Sequence, residues 1–155
     1  MTTIIQGNQL RKLLYGNTVS NAAGKTVPQN ATSTIFTVTG GRVLVTGLYG
    51  KVTTVIAGTT PSAKIVSTPT TGTAVDVSSA TAITGKEVGA LLGLAGTVGT
   101  ALNVQNAGAG AALPSAIQIP VGTLGVNVSA ADATGAIQWT LTYVPLDDGA
   151  AVTAA

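Results

Sequence analysis

The chain has 155 residues with a formal net charge of +2, and only 8% of its residues are charged, against about 25% in ordinary soluble domains. Its length predicts one domain with a single core, and its apolar fraction of 45% excludes a disordered chain. Because it contains no Cys and no His, disulfides, thiolate zinc sites, imidazole catalysis and Ser-His triads are excluded.

The first segment, residues 1–31, differs in composition from the rest and predicts an extended arm attached to one domain that spans residues 32–155. Within the arm the run QLRKLLY predicts about two helical turns. One side of this helix would carry Leu10, Leu13 and Leu14. So short a helix is marginal in water without a surface to pack on. Two interpretations stay open, a frayed tail and an arm that becomes ordered on a neighbouring subunit or partner.

Residues 34–56 are the stretch around which we expect the fold to be organised. Two runs of β-branched and apolar residues lie on either side of Gly40-Gly41. Because Gly accepts the positive φ of a two-residue turn, this pattern predicts a β-hairpin.

Strict alternation along these two runs predicts which face each side chain occupies. Phe36 and Ile35 would lie on opposite faces of the first strand, and Val45 and Leu48 on opposite faces of the second. Apolar residues on both faces are typical of a strand inside a packed sheet, not of a solvated rim.

Short strands are predicted downstream, separated by turns rich in Gly, Pro and Thr. They cover residues 63–67, 74–77, 80–84 and 116–119. Residues 85–98 are ambiguous between a buried strand pair and a glycine-weakened helix. Strands are favoured because each of the four Gly in this stretch would cost a helix about 1 kcal/mol. Residues 103–112 predict a loop.

The last third of the chain shows the clearest alternation. Leu and Val alternate with Gly, Asn and Ser over residues 124–129. In the run AIQWTLTYV, one face is shared by Ile137, Trp139, Leu141 and Tyr143. Both aromatic residues are therefore interpreted as core, although their rings could also stack on sugars. Many short strands without a long helical period predict an all-β fold, an antiparallel, jelly-roll-like β-sandwich with an extended N-terminal arm.

No motif indicates catalysis. Asp147-Asp148 is the only acidic pair, and adjacent residues on a turn point apart, whereas glycosidase chemistry requires two carboxyls that flank one bond. The glycine-rich runs 93–99 and 108–110 match neither a phosphate-binding loop nor a dinucleotide fingerprint. We expect no enzyme activity, no catalytic residues, no cofactor and no metal.

The sequence also gives no sign of nucleic-acid or membrane binding. The bases are scattered and form no patch with interleaved aromatic residues. The longest apolar run, residues 88–102, is too short and too rich in Gly to span a membrane, and no signal sequence precedes it. We therefore expect a soluble product that is synthesised in the cytoplasm.

Three segments carry a resemblance to a known class of protein: IFTVTGGRVLVTGLYGKVTT, STPTTGTAVDVSSATAITG and IQWTLTYVPLDDGAAVTAA. Across residues 33–155 the chain resembles small structural proteins of tailed bacteriophages, and residues 1–31 lie outside this pattern. The resemblance implies a capsid decoration (cement) protein that binds the major capsid protein, stabilises the head and lies on the surface of the virion. It also implies a homotrimer of β-sandwich or jelly-roll subunits.

On this hypothesis the arm binds the capsid shell, with four apolar anchors and two bases that meet acidic shell residues. In chain order these site residues are Leu10, Arg11, Lys12, Leu13, Leu14 and Tyr15. The alternative is a head-fibre or tail receptor-binding module that recognises host glycans, for which Tyr15 and Tyr49 are the candidate exposed aromatic residues. A wall-degrading hydrolase is a third hypothesis, disfavoured by the absence of His and Cys and by the few carboxylates.

Overall fold

The structure is a computed structural model that describes residues 6–108 and 116–155. Over these residues the chain forms a helix followed by thirteen strands. In chain order they are α1 (Gly7–Tyr15), β1 (Asn17–Ser20), β2 (Lys25–Thr26), β3 (Ala31–Thr39), β4 (Val43–Ala57), β5 (Ser62–Pro69), β6 (Val75–Asp76), β7 (Thr81–Ala82), β8 (Leu91–Gly93), β9 (Asn103–Gln105), β10 (Ile117–Ile119), β11 (Gly122–Val128), β12 (Thr134–Pro145) and β13 (Ala151–Ala154).

The strands form two antiparallel sheets that pack together, which confirms the predicted all-β sandwich. Sheet A has the order β1-β12-β4-β8-β9, with β10 beside β4 and β2 beside β12. Sheet B has the order β13-β3-β11-β5-β6, with β7 beside β5. The core lies between the sheets, and its largest fully buried side chains include Trp139, Phe36, Ile35, Leu48, Ile56 and Ile65.

The predicted β-hairpin at Gly40-Gly41 is wrong, because the two strands that flank this turn do not pair. Strand β3 pairs with β11 and β13 in sheet B, whereas β4 pairs with β12, β8 and β10 in sheet A. The turn is therefore a corner that carries the chain across the sandwich. The glycine signal is local and describes a tight turn, but it does not decide whether the two apolar runs lie side by side or face each other across a core.

Two three-strand units have the same topology and pair with each other reciprocally. Strands β3, β4 and β5 run from sheet B to sheet A and back, and β11, β12 and β13 follow the same course. Strand β4 pairs with β12 and β3 with β11, while the third strand of each unit pairs with the first strand of the other. Exchanging the two units therefore leaves these pairings unchanged.

A β-bulge in β3 changes the faces that its side chains occupy from those predicted. Phe36 pairs with Leu124 and Thr34 pairs with Gly125, so Ile35 is an extra residue without a partner on β11. As a result the two successive side chains Ile35 and Phe36 are both buried in the core, and the strict alternation expected from the sequence is wrong here.

A second bulge, in β4, likewise changes the faces that the side chains occupy. Thr46 is the extra residue between Val45 and Gly47, which pair with successive residues of β12. Beyond the bulge the alternation is shifted by one residue, so Leu48 lies in the core together with Val45 and not on the opposite face.

Most of the other strand predictions are confirmed. The predicted alternation holds in β11 and β12, where the buried residues are Leu124, Val126, Val128, Ile137, Trp139, Leu141 and Tyr143. The ambiguous residues 85–98 contain β8 and no helix. The predicted loop at residues 103–112 contains the three-residue strand β9, which pairs with β8, and its residues 109–112 lie outside the described part of the chain.

The predicted arm is divided between the helix and the sandwich. Residues 1–5 lie outside the described part of the chain. Strands β1 and β2 both pair with β12, and Val27 is buried in the core. Asn21 is buried as well, and its Nδ2 donates to the carbonyl oxygens of Ile35 and Ala155. Strands β1 and β2 therefore belong to sheet A, where they supply hydrogen-bonding partners for an edge of β12 that would otherwise be bare.

We predict that Gly40→Ala destabilises the protein more than Gly99→Ala. Both glycines have a positive φ, 73° and 83°, which costs an alanine about 1–2 kcal/mol. A Cβ at Gly40 would lie 2.1 Å from the carbonyl oxygen of Gly149, whereas a Cβ at Gly99 has no atom within 4 Å. The difference between the two free energies of unfolding, measured by urea denaturation, isolates the close contact between the corners. Equal losses would show that the contact is unimportant.

Candidate functional site

The helix α1 carries all six residues of the predicted site, and its C-terminal end is joined to sheet A. Gly16, with φ 82°, ends the helix, and its N–H donates to the carbonyl oxygen of Lys12 at 2.9 Å. A Cβ at Gly16 would lie 2.1 Å from the carbonyl oxygen of Tyr143, so the backbone runs directly against β12. Thr46 Oγ1 donates to the carbonyl oxygen of Tyr15 at 2.7 Å. The last turn is therefore fixed to the sandwich.

One side of α1 is an apolar surface that the sandwich does not cover. It consists of Leu10, Leu13 and Leu14, which are three and four residues apart and so lie on the same side of the helix. Their relative exposures are 48%, 79% and 65%. We call these three residues the leucine face. An amphipathic helix normally turns such a stripe toward a core, whereas the leucine face packs against no core within the described residues.

The neighbouring side of α1 forms a cleft with the outer face of sheet A. Arg11 and Tyr15, one turn apart on the helix, line it together with Thr18 of β1, Tyr49 of β4 and Thr142 of β12. Its volume is about 250 Å³. We call this the tyrosine cleft. It brings α1 and β1, which are consecutive in the sequence, together with the distant strands β4 and β12.

Strand register shapes the floor of the tyrosine cleft. Thr18 and Thr142 are register partners on β1 and β12, and the partner of Thr142 on β4 is Gly47, which has no side chain. The hydroxyl oxygens of Thr142 and Thr46 lie 2.9 Å apart, within hydrogen-bond distance. Tyr49 therefore stands beside small neighbours, and an open space is left next to its ring.

The cations without a partner within the described residues lie on α1 and on the outer face of sheet A, and one of them, Arg11, lines the cleft. Four of the seven bases have partners: Lys25, Arg42, Lys64 and Lys86 bond Thr34, Asp147, Asp76 and Asn106. The other three, Arg11, Lys12 and Lys51, make no hydrogen bond or ion pair within the described residues. Arg11 and Lys12 lie on α1, and Lys51 lies on the outer face of sheet A, two residues from Tyr49 on β4. Among the described residues, none that lines the cleft is acidic.

The carboxylate Asp147 of the acidic pair has a structural role. Its Oδ2 accepts hydrogen bonds from the backbone N–H of Arg42 at 2.8 Å and from Arg42 Nε at 2.9 Å, and its Oδ1 accepts one from Nη2 at 2.8 Å. The side-chain and backbone hydrogen bonds from Arg42 lower the pKa of Asp147 to about 2. A general acid requires a raised pKa, so this carboxylate is suited to holding the β3–β4 corner.

Asp132 plays the same part at the opposite end of the sandwich. It accepts hydrogen bonds from Thr59 Oγ1 at 2.8 Å and from the Thr59 backbone N–H at 2.9 Å. These bonds, the side-chain one first, lower the pKa of Asp132 below its ordinary value. The β11–β12 connection is thereby tied to the β4–β5 connection.

A second groove, of about 210 Å³, lies at the edge where β5 and β6 of sheet B approach β10 of sheet A. Its lining includes Val75, Val98 and Ile117 and contains no ionisable side chain. Within residues 6–108 and 116–155 no group of three or more acidic side chains could hold a metal ion. In the same residues, no helix has the length and apolar character needed to cross a membrane.

The structure separates the six predicted site residues into three groups. The leucines form the leucine face, Arg11 and Tyr15 line the tyrosine cleft, and Lys12 is exposed outside the cleft. Thr18 and Thr142 were missed by the sequence analysis, because only the pairing of β1 with β12 brings them together. Tyr49 was expected to be exposed and is half-buried beside the helix. Trp139 and Tyr143 are core residues, as predicted.

Comparisons of the chain with protein-family profiles, with curated proteins and with solved structures find no match. The fold and the site by themselves define a class of molecule. It is an all-β sandwich that presents a helix with one exposed apolar side and, beside it, a cleft with one arginine and two tyrosines.

We predict that Asp147→Asn lowers the thermal unfolding temperature at pH 7 and that this deficit disappears toward pH 2. The pKa of Asp147 is about 2 in the folded protein and 3.8 without these contacts. A carboxyl whose pKa is lowered by folding stabilises the fold fully above about pH 4, and this contribution is lost as the pH falls through the folded pKa. Thermal denaturation followed by circular dichroism across this pH range measures the effect.

Asp148→Asn is the matched control, since it removes the same charge one residue away and Asp148 makes no hydrogen bond or ion pair within the described residues. It should leave the unfolding temperature nearly unchanged at every pH. If Asp147→Asn lowers the unfolding temperature by the same amount at every pH down to 2, the ion pair between Asp147 and Arg42 makes no ionic contribution to stability.

Proposed function

We propose that the chain is a structural protein of a tailed-bacteriophage virion, a capsid decoration protein that binds the major capsid protein through α1. The observation that supports this most is the leucine face, three exposed leucines on a helix whose last turn is fixed to a compact body. The resemblance of residues 33–155 to small phage structural proteins supplies the class of the partner. On this proposal the protein acts without catalysis, on the outer surface of the head.

The energetics of such a contact favour a preformed helix. Full burial of one leucine side chain stabilises a complex by about 1.5–3 kcal/mol, and association and side-chain ordering oppose this gain. Because Gly16 and Thr46 already hold the end of the helix, less ordering is required on binding. Many copies on a symmetric shell would then multiply a modest contact free energy, since linked sites raise the effective concentration.

The low fraction of charged residues is consistent with a protein whose surface binds other proteins. Only 8% of the residues are charged, and the cores of protein interfaces are depleted of charged residues. Lys12 is exposed next to the leucine face and lines neither cavity. It is therefore the base best placed to meet an acidic shell residue, where it would contribute orientation and association rate more than affinity.

We predict that the double variant Leu13→Ser with Leu14→Ser loses binding to purified heads that lack this protein, by about tenfold or more. The physical reason is the loss of the apolar area that the shell would cover. Since both side chains are exposed, the thermal stability of the protein should stay within about 0.5 kcal/mol of the wild type. Co-sedimentation with the heads measures the affinity.

The control is Val55→Ser with Val88→Ser, which removes two apolar side chains that are about half exposed elsewhere on the body. A deletion provides a second test and should remove residues 1–15 only, because the strands that follow belong to sheet A. If the protein that lacks residues 1–15 saturates heads with wild-type affinity, the helix is not the shell-binding element.

We also predict a homotrimer, as the resemblance implies. Sedimentation equilibrium should then give three times the chain mass of 15.1 kDa. A species of single-chain mass at all accessible concentrations would contradict the trimer and leave the shell-binding proposal to its own test.

A further inference from the structure

We infer that the tyrosine cleft is a binding site for a saccharide that carries a carboxylate. This inference stands apart from shell binding, because the cleft and the leucine face lie on neighbouring sides of α1 and share no residue. It rests on three features of the cleft: an unpaired guanidinium, two aromatic rings with adjacent hydroxyls, and walls that are already fixed.

The guanidinium of Arg11 determines the charge of the ligand. It lines the cleft and has no acidic partner within the described residues. Arginine presents a planar fork of N–H donors that matches the two oxygens of a carboxylate. Lys51, which is also unpaired, lies on the same outer face of sheet A and adds positive potential along β4. A ligand that enters the cleft therefore meets one cation, Arg11, and none of the acidic residues of the chain.

The rings of Tyr15 and Tyr49 favour a ligand that contains a sugar ring. An aromatic ring buries apolar surface while its polar hydroxyl stays in water, and a sugar ring offers an apolar C–H face with a rim of hydroxyls. The hydroxyls of Thr18 and Thr142 also line the cleft, and a hydroxyl can both donate and accept a hydrogen bond. Neither tyrosine hydroxyl has a hydrogen-bonding partner within the described residues. The cleft thus contains four hydroxyls, of which that of Thr142 is already hydrogen-bonded to Thr46 Oγ1 and the other three have no partner within the described residues.

The size of the cleft and its fixed walls point to a sugar unit more than to an amino-acid side chain. A volume of about 250 Å³ exceeds what a single aspartate or glutamate side chain fills. Thr18, Tyr49 and Thr142 lie on paired strands of sheet A, and Thr46 holds the backbone of Tyr15. A cleft preformed in this way loses little conformational entropy when it binds a small ligand.

The test is a titration of the full-length protein with glucuronic acid, galacturonic acid and sialic acid, with glucose as the uncharged comparison. Amide chemical shifts in NMR spectra report both the affinity and the location. We expect at least one of the three acidic sugars to bind about tenfold more tightly than glucose, with shifts centred on Tyr15, Tyr49 and Thr142.

Arg11→Gln and Lys12→Gln form a matched pair of variants, because they remove the same charge from adjacent exposed positions and only Arg11 lines the cleft. Arg11→Gln should weaken binding of the acidic sugar about tenfold or more, and Lys12→Gln should change it less than about twofold. Tyr49→Phe, which keeps the ring, should retain most of the affinity, whereas Tyr49→Ala should lose it.

Several results would overturn the inference: no binding of any of the three acidic sugars, equal affinity for glucose, equal effects of the two charge variants, or shifts centred on another part of the surface. Binding of a polyglutamate peptide at the cleft without binding of the sugars would likewise overturn it. The leucine-face variant separates this inference from shell binding, since Leu13→Ser with Leu14→Ser should keep the sugar affinity unchanged.

Discussion

Two carboxylate clamps hold connections that cross between the sheets, and these connections fix the ends of β4 and β12, the two strands on which the candidate site is built. The chain passes from one sheet to the other at each end of β4 and of β12, and such corners leave backbone donors outside any ladder. Asp147 accepts the N–H of Arg42 at one end, and Asp132 accepts the N–H of Thr59 at the other. Because β4 and β12 pair along their length, both clamps secure the same two strands.

The candidate site follows from that pairing in a short series of steps. The register of β4 with β12 makes Thr46 the extra residue of a bulge, and its hydroxyl reaches the carbonyl oxygen of Tyr15. This bond and the close approach of Gly16 to β12 hold the last turn of α1 beside the sheet. The same register leaves Gly47 opposite Thr142 and so opens the floor of the tyrosine cleft. Bulges at sheet edges and near sites commonly redirect side chains in this way.

Local patterns were sufficient for the parts of the fold that depend on local chemistry. The strand around Trp139 was predicted because its alternation is uninterrupted, and α1 was predicted from the spacing of its leucines. The corner at Gly40 was misassigned because its glycines describe a turn and not the sheet that each strand joins. The bulge at Ile35 and the tyrosine cleft were not predictable, since both depend on register between strands that are distant in the sequence.

Two groups can be distinguished among the few charged residues of the chain. Asp76, Asp132 and Asp147 are bound to groups of the chain itself, where they hold strands and corners together. The bases without a partner within the described residues are instead those on α1 and beside the tyrosine cleft. Lys25 and Lys86 bond neutral oxygens and so keep their charge as well, whereas Arg42 and Lys64 are neutralised by carboxylates. Screening over about 8–10 Å confines the positive potential of each base to its surroundings. The uncompensated charges of Arg11 and Lys12 therefore act on the helix side of sheet A, where an acidic group would meet them.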